Sequence, residues 1–334
     1  MKNFDFFKNK IILVTGGSGS IGSLLVSRLL KTKCKSIRVL SNSEHELYLI
    51  KQKYEKNRRL RFLLGDIRDK ERLLTASTGV DIVFHAAALK HVPLCEYNPY
   101  DAVQTNVIGT KNMIDASMKT GVKKFVFIST DKAANPHSTL GATKLLAERL
   151  TIAAKSYEGA PSKLIMHCVR FGNVLGSRGS VFEKFLEQIK QEKPLTITNK
   201  KMTRFAMTPN DAVDLVLSTV PKSKGGEIFV LKMRAMKIID LAKTMIDVFA
   251  KNKKLKIIET GIREGEKLHE ELITTEEVLR AKESKNMFII PYYDTKTYSK
   301  LSSVRKIYSS NTEKHMNKNE IKSFLKKIND SVNY

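Results

Sequence analysis

Short β-branched and aromatic runs alternate with longer amphipathic stretches through the first half of the chain. The runs Ile11–Thr15, Ser36–Leu40, Arg61–Leu64, Ile82–His85, Lys124–Ser129 and Leu164–Phe171 have the length and composition of buried strands. Between them, Ile21–Leu30, Glu44–Lys53, Tyr100–Lys119 and Leu140–Ala154 place apolar residues at helical spacing. Strand followed by helix at this interval predicts an α/β chain, with a parallel sheet covered on both faces. The rhythm breaks after Phe171. Gly172–Gly179 reads as a loop, followed by a helix over Ser180–Gln191, a strand over Leu195–Thr198 and a helix over Asn210–Val220. From Gly226 onward strands and helices mix irregularly, and the final ~30 residues read as a Lys-rich helical tail.

The first strand runs directly into Thr15-Gly16-Gly17-Ser18-Gly19-Ser20-Ile21-Gly22. Glycines at 16, 19 and 22 between a strand and a helix suit a tight turn, close backbone approach to a pyrophosphate, and close helix–strand packing. The free N–H groups of the following helix suit phosphate oxygens. Gly16, Ser18, Gly19, Ser20, Ile21 and Gly22 are therefore candidate cofactor contacts. The sheet is expected to be a Rossmann-type doubly wound sheet over residues 1–172, with a returning segment at about 205–232. Residues 173–334 are expected to form mainly a smaller C-terminal substrate-binding lobe and the helical tail.

At the end of the second strand, Ser41, Asn42 and Ser43 stand where an acid would grip the adenosine ribose of NAD, and the first acid, Glu44, comes late. That favours NADP over NAD. Arg38, the nearest guanidinium, lies inside the strand. Asp66 and Ile67 follow the third strand and are candidates for the adenine; the alternative role for Asp66 is a helix N-cap.

Composition narrows the picture further. The chain has 334 residues, 42% of them hydrophobic, enough for one large domain or two medium ones. It holds no apolar run of membrane-spanning length, and its first residues are charged and aromatic, unlike a signal peptide. A cytoplasmic protein without membrane insertion is expected. Three cysteines, Cys34, Cys95 and Cys168, lie far apart with no CxxC pair, so no metal site is expected. The net charge of +25 comes from lysines scattered along the whole chain, and Trp is absent. Runs such as Lys251–Lys254 are not interleaved with stacking aromatics. The charge reads as solvated faces and as a field that attracts an anionic substrate, not as a nucleic-acid footprint.

The glycine loop, the small-residue helix start before Lys144, and Asn106 in Thr105-Asn106-Val107-Ile108-Gly109-Thr110 together resemble the extended short-chain dehydrogenase/reductases. Longer strings sharpen the likeness: Ala86-Ala87-Ala88-Leu89-Lys90-His91-Val92-Pro93, Ser129-Thr130-Asp131-Lys132-Ala133, Gly141-Ala142-Thr143-Lys144, Phe171-Gly172-Asn173-Val174, Gly176-Ser177-Arg178-Gly179-Ser180, Met202-Thr203-Arg204-Phe205, and Gly261 through Glu270 (GIREGEKLHE). These resemble the UDP-N-acetylglucosamine 4,6-dehydratases of polysaccharide biosynthesis, over roughly residues 8–275.

The resemblance implies an internal redox elimination. The C4 hydroxyl is oxidised, water leaves across C5–C6, and the hydride returns to C6, giving a UDP-4-keto-6-deoxy-HexNAc with inversion or retention at C5. It implies Lys132 as the C5 base and Asp131 as the acid at the C6 hydroxyl. The pair would need a lowered Lys132 pKa and a raised Asp131 pKa. Thr130 would face the C4 oxygen, and Lys144 would bind the nicotinamide ribose and keep the site positive. Ala87, Lys90, Asn106, Ser129 and Leu140 are implied to line the cofactor. Lys90, His91, Asn173, Val181, Arg204, Arg263 and Glu266 are implied for the substrate, with the two arginines suited to a diphosphate or, alternatively, to a domain-spanning ion pair. His91 is a second candidate for the C5 base. One departure stands out: Leu140 occupies the position where the superfamily usually carries a tyrosine. A UDP-sugar 4-epimerase or reductase, and a non-catalytic NAD(P)-binding regulator, are the rival readings. The superfamily implies a homo-oligomer.

Overall fold

A computed structural model describes residues 4–154, 164–177, 179–250, 255–292 and 296–332. Arg178 and the Lys251–Lys254 run lie outside the described residues.

Six strands, β1 (Ile11–Thr15), β2 (Ser36–Ser41), β3 (Leu60–Leu64), β4 (Ile82–His85), β5 (Lys124–Ile128) and β6 (Ile165–Arg170), pair in parallel in the order β3-β2-β1-β4-β5-β6. This order reverses between β1 and β4, which opens a crevice beyond their C-terminal ends. The strand Glu227–Leu231 adds to β6, also in parallel. The sheet then departs from the all-parallel expectation. Met287–Pro291, Lys282–Glu283 and Ser302–Ser303 extend it antiparallel, to ten strands. For Lys282–Glu283 against Met287–Pro291 the reason is local: Ser284 N–H and Oγ both donate to Met287 O, closing a tight hairpin, and only antiparallel neighbours accept so short a connection; Met287–Pro291 itself pairs with Glu227–Leu231 from far away in the sequence.

The expected returning segment is divided between two sheets. Thr203–Met207 belongs to a separate three-stranded sheet with Asn173–Val174 and Arg234–Lys237, and Glu227–Leu231 is the strand that rejoins the large sheet. The expected helix over Tyr100–Lys119 is broken into Pro99–Ala102, a π-helical stretch Val103–Ile108, and Gly109–Lys119. The C-terminal tail is helical only over Lys318–Val332. The residues before it form the short strands Ser302–Ser303 and Tyr308–Ser309, and the Tyr308 hydroxyl is fixed inside by donating to Met233 O at 2.6 Å.

Among the described residues, two large apolar clusters result, beside a small one of Cys95, Ala102 and Leu140. The larger lies on both faces of the main sheet and includes Ile12, Val14, Phe84, Phe125, Val169, Phe229 and Ile290. The smaller joins the amphipathic helices Val181–Lys190, Ile238–Phe249 and Lys318–Val332 through Phe185, Leu241, Met245, Ile321 and Leu325. A charged clamp ties the large sheet to the later chain. Arg170, fully buried on β6, donates to Glu148 at 2.6 and 3.0 Å, to Glu277 at 2.9 and 3.0 Å, and to Leu272 O at 2.9 Å. Two carboxylates and a carbonyl satisfy its fork, which is what a guanidinium needs when buried.

Candidate active site

The dinucleotide end is made of backbone. After β1 the chain turns at Gly16, whose φ is +62°, a region a side chain rarely adopts. A Cβ there would stand 2.7 Å from Ala87 N, so the loop following β4 packs directly on the turn. The helix α1 (Ser20–Leu30) starts with Gly19 as N-cap and no side-chain cap, leaving its N–H groups aimed at the crevice. A cavity of about 740 Å³ runs from this loop past Ser41, Asn42, Ser43, Asp66, Ile67 and Ala87 to Ser129, Leu140 and Lys144. The glycine clearance and the open helix start fit a nicotinamide dinucleotide.

The adenosine end of that cavity contains an acid that sequence reading passed over. Ser18 Oγ donates to Ser41 Oγ at 2.7 Å and lies 3.2 Å from the Glu46 carboxylate. Glu46 sits in the first turn of the helix Glu44–Lys53, beyond the usual place for such an acid. Asp66 does not cap the next helix; Asp69 does, accepting from Arg72 N at 3.0 Å. The Asp66 carboxylate pairs with Arg68 at 2.8 Å, and that pairing holds its pKa below the usual range. Asn106 does not line the cavity. It is buried, and its amide accepts from Leu89 N at 2.9 Å and donates to Leu89 O and Thr143, so it positions the loop that carries Ala87 and Lys90. Ser129, although it lines the cavity, spends its hydroxyl on Glu148, behind the sheet edge.

In the same cavity, Lys144 Nζ donates to Ile128 O at 2.7 Å and sits 4.3 Å above the Phe127 ring. Burial lowers its pKa to about 8, against an upward pull from Glu148. Leu140 packs with Cys95 and Ala102 and offers the cavity only apolar surface. Ser138 caps this helix, accepting from Gly141 N at 3.1 Å, which fixes the register that brings both Leu140 and Lys144 to the cavity.

The charged chemistry collects where β5 ends. Thr130 Oγ1 accepts from Lys132 N at 3.4 Å and donates to Asp131 Oδ1 at 2.9 Å. The same Oδ1 accepts from Lys132 Nζ at 3.0 Å, and Asp131 Oδ2 accepts from Asn173 at 3.4 Å. Glu270 Oε1 lies 3.5 Å from Lys132 Nζ. Burial alone would lower the Lys132 pKa, but the two carboxylates outweigh it and the pKa is raised. This reverses the lowered value that sequence reasoning required of a base. Asp131 gives the larger upward pull, and Glu270, 139 positions away from it in sequence, adds a second carboxylate to the one expected.

A second cavity of about 410 Å³ continues from this point into the smaller lobe. Lys90, His91, Lys132 and Asn173 line both cavities. Lys90 Nζ reaches Ser20 Oγ at 3.3 Å, linking the second cavity to the glycine loop. Burial and Lys90 lower the His91 pKa. Val181, Arg263 and Glu266 line the second cavity as well. Arg204 lines it but is committed within the protein. Its guanidinium donates to Thr203 O, Leu268 O and Lys267 O, and stands 3.6 Å from Glu270 and 3.7 Å from Glu266. Arg204 is thus ion-paired beside Glu266 and Glu270, whereas Arg263 is exposed. Lys184 and Lys267 are cavity cations that sequence reading did not single out. Lys184 sits on an amphipathic helix whose charges look like a solvated face. Lys267 and Glu270 belong to the GIREGEKLHE string, and that string was the one signal that could have found them.

A family model described as polysaccharide biosynthesis protein matches residues 12–292. An uncharacterized membrane protein of Methanocaldococcus jannaschii is 50% identical over 331 residues, 97% of each chain. Among the described residues of this chain, no helix is long and apolar enough to cross a membrane. A protein named UDP-glucose 4-epimerase from Rickettsia conorii is 39% identical over 331 residues, 96% of each chain. Among solved structures, Pen from Bacillus thuringiensis superposes with a TM-score of 0.92 at 42% identity, over 96% of this chain and 98% of its own. The dTDP-glucose 4,6-dehydratase DesIV of Streptomyces venezuelae, with NAD and TYD bound, shares the fold with a TM-score of 0.70 at 23% identity, over 77% of this chain and 86% of its own. The chain belongs to the polysaccharide biosynthesis family of extended short-chain dehydrogenase/reductases, within the superfamily of nucleotide-sugar dehydratases and epimerases.

Proposed function

We propose that this protein is a UDP-N-acetylglucosamine 4,6-dehydratase, a lyase that forms a UDP-4-keto-6-deoxy-HexNAc. The observation that carries the reading is the Asp131–Lys132 pair, held at 3.0 Å at the junction of the two cavities. Elimination needs an acid and a base on one sugar ring, whereas epimerisation at C4 needs neither at C5. Gly16, Gly19 and the open start of α1 would hold a nicotinamide dinucleotide, which would supply the hydride acceptor for C4 and the hydride donor for C6. Thr130 Oγ1 accepts the C4 hydroxyl proton and passes its own to Asp131 Oδ1, along the hydrogen bond already present. Asp131 then protonates the C6 oxygen, which leaves as water, while Lys132 removes the C5 proton and later restores one. The Lys144 charge favours oxyanion character at C4. In this reading Arg263, Lys184 and Lys90 meet the diphosphate, and Asn173, His91, Val181 and Glu266 meet the sugar and nucleoside.

Ser41, Asn42 and Ser43 present neutral donors to the adenosine ribose, which supports NADP over NAD, with the Glu46 carboxylate tempering the preference. The acting form is read as a cytoplasmic homo-oligomer with no nucleic-acid partner. Exposed Leu94, Tyr97, Tyr100 and Leu146 on neighbouring helices offer an apolar surface for a second subunit.

The 4-epimerase reading has one observation in its favour, the name carried by the Rickettsia relatives. Incubating the purified protein with UDP-N-acetylglucosamine and NADP+ in D2O separates the two. A 6-deoxy-4-keto product, formed without added reductant and labelled at C5, is expected, and its NMR couplings give the C5 configuration. A product that differs only at C4, or UDP-glucose consumed in preference, sinks the dehydratase reading.

A further inference from the structure

We propose that Glu270 is the positioning residue that accepts the Lys132 proton and so converts an ammonium into the C5 base. This rests on the dehydratase reading above.

The difficulty it resolves is visible in the geometry. Lys132 stands between two carboxylates, Asp131 at 3.0 Å and Glu270 at 3.5 Å. An ammonium in that setting has no lone pair with which to take a proton from carbon. Asp131 cannot relieve it and also serve as the acid at C6. Glu270 can. Its side chain is 2% exposed, and its Oε2 is buried with no hydrogen-bond partner among the described residues. A lone buried carboxylate oxygen is costly, and protonating the carboxylate at Oε1, the oxygen nearer Lys132 Nζ, removes the charge that makes it so. The backbone is fixed on both sides, Glu270 N donating to Ser310 Oγ at 2.9 Å and Ser310 N to Glu270 O at 2.8 Å.

The groups around this carboxylate bear on its proton affinity. Asp131 and Lys132 face it from the turn after β5, Arg204 at 3.6 Å from the strand Thr203–Met207, and Lys267 from its own loop. Burial raises the Glu270 pKa, the three cations oppose that, and the net displacement is upward. A sugar filling the junction would remove water from the Lys132–Glu270 pair. As the surroundings dry, an ammonium–carboxylate pair loses ground to an amine–carboxylic acid pair, which carries no charge to desolvate.

The step balances. One Nζ–H bond of Lys132 breaks, an Oε–H bond forms on Glu270, and the total charge is unchanged. The amine lone pair then takes the C5 proton. After C6 is reduced, the Lys132 ammonium returns a proton to C5, and the amine recovers its own from Glu270. Asp131 draws its proton separately, from the C4 hydroxyl through Thr130.

The test compares wild type, Glu270→Gln and Glu270→Asp with UDP-N-acetylglucosamine in D2O, following C5 deuterium incorporation, reduced-nicotinamide absorbance and KM across pH. Glu270→Gln keeps the shape but cannot accept the proton. It should lose C5 exchange by about 10²–10⁴-fold at neutral pH, while the C4 oxidation signal and KM stay near wild type. Its residual exchange should climb about tenfold per pH unit, because Lys132 must then shed its proton to solvent. Wild type should be flat through neutral pH, and Glu270→Asp should recover part of the rate. Exchange in Glu270→Gln at the wild-type rate and pH profile overturns the relay. So does parallel loss of C4 oxidation and C5 exchange, which would mark Glu270 as a structural support. A wild-type enzyme that oxidises C4 but never exchanges C5 refutes the dehydratase reading itself, and the relay with it.

Discussion

The two ends of the crevice are built from different materials. At the dinucleotide end, the shape comes from missing side chains: Gly16 lets the loop carrying Ala87 pack on the turn, and the uncapped α1 supplies backbone donors. At the sugar end, the shape comes from long charged side chains, Asp131, Lys132, Arg204, Glu266 and Glu270, which hold one another within 3.0–3.7 Å. A backbone cradle is specified by a handful of neighbouring positions and changes little with pH. A charged network draws on residues far apart in sequence, and its protonation depends on every member. The first suits a constant cofactor, the second suits a reaction that moves protons.

Substitutions should separate the two ends. The largest effect is expected at the network. Lys132→Ala removes the proposed base and should lower dehydration by about 10²–10⁴-fold, with the reduced-nicotinamide signal retained or increased on mixing with UDP-N-acetylglucosamine. Full dehydration by this variant would make Lys132 a phosphate-facing or structural lysine and leave His91 or Asp131 as base.

A middle-sized effect is expected at the cradle. A Cβ on Gly22 would fall 2.1 Å from Gly16 O and 2.7 Å from Gly17 Cα, both backbone atoms. Gly22→Ala must therefore displace the turn, at a cost of about 1–3 kcal/mol. Calorimetry should show weaker dinucleotide binding, while UDP binding to the other end is preserved. Equal weakening of both would mean that the two ends do not act as separate constructions.

The smallest effect is expected where the cradle borrows a charge. Glu46→Gln removes a carboxylate beside Ser18 and Ser41 and should shift the NADP+/NAD+ affinity ratio toward NADP+ by about 1 kcal/mol, several-fold. An unchanged ratio would place Glu46 outside the reach of the ribose.

Much of the architecture was legible from the pattern of residues. The six parallel strands and the glycine turn depend on short-range facts: β-branched runs, helical spacing, and glycines three residues apart. Each expected strand lies within a residue or two of its observed bounds. What was not legible depended on partners distant in sequence. The antiparallel extension of the sheet required Met287–Pro291 to find Glu227–Leu231. The commitment of Arg204 required carbonyls of Leu268 and Lys267. Glu46 was hidden by its position on a helix face that reads as solvated.

The sequence by itself determined that a Rossmann-type sheet would form and that Asp131 and Lys132 would stand at the end of β5. Adjacent residues leaving a strand end are carried to the crevice together, whatever the rest of the chain does. Only the tertiary structure set a second carboxylate beside that lysine. It brought Glu270 to within 3.5 Å of Nζ in a buried pocket, and proton affinity in such a place is set by desolvation and neighbouring charge, neither of which a linear string of residues contains.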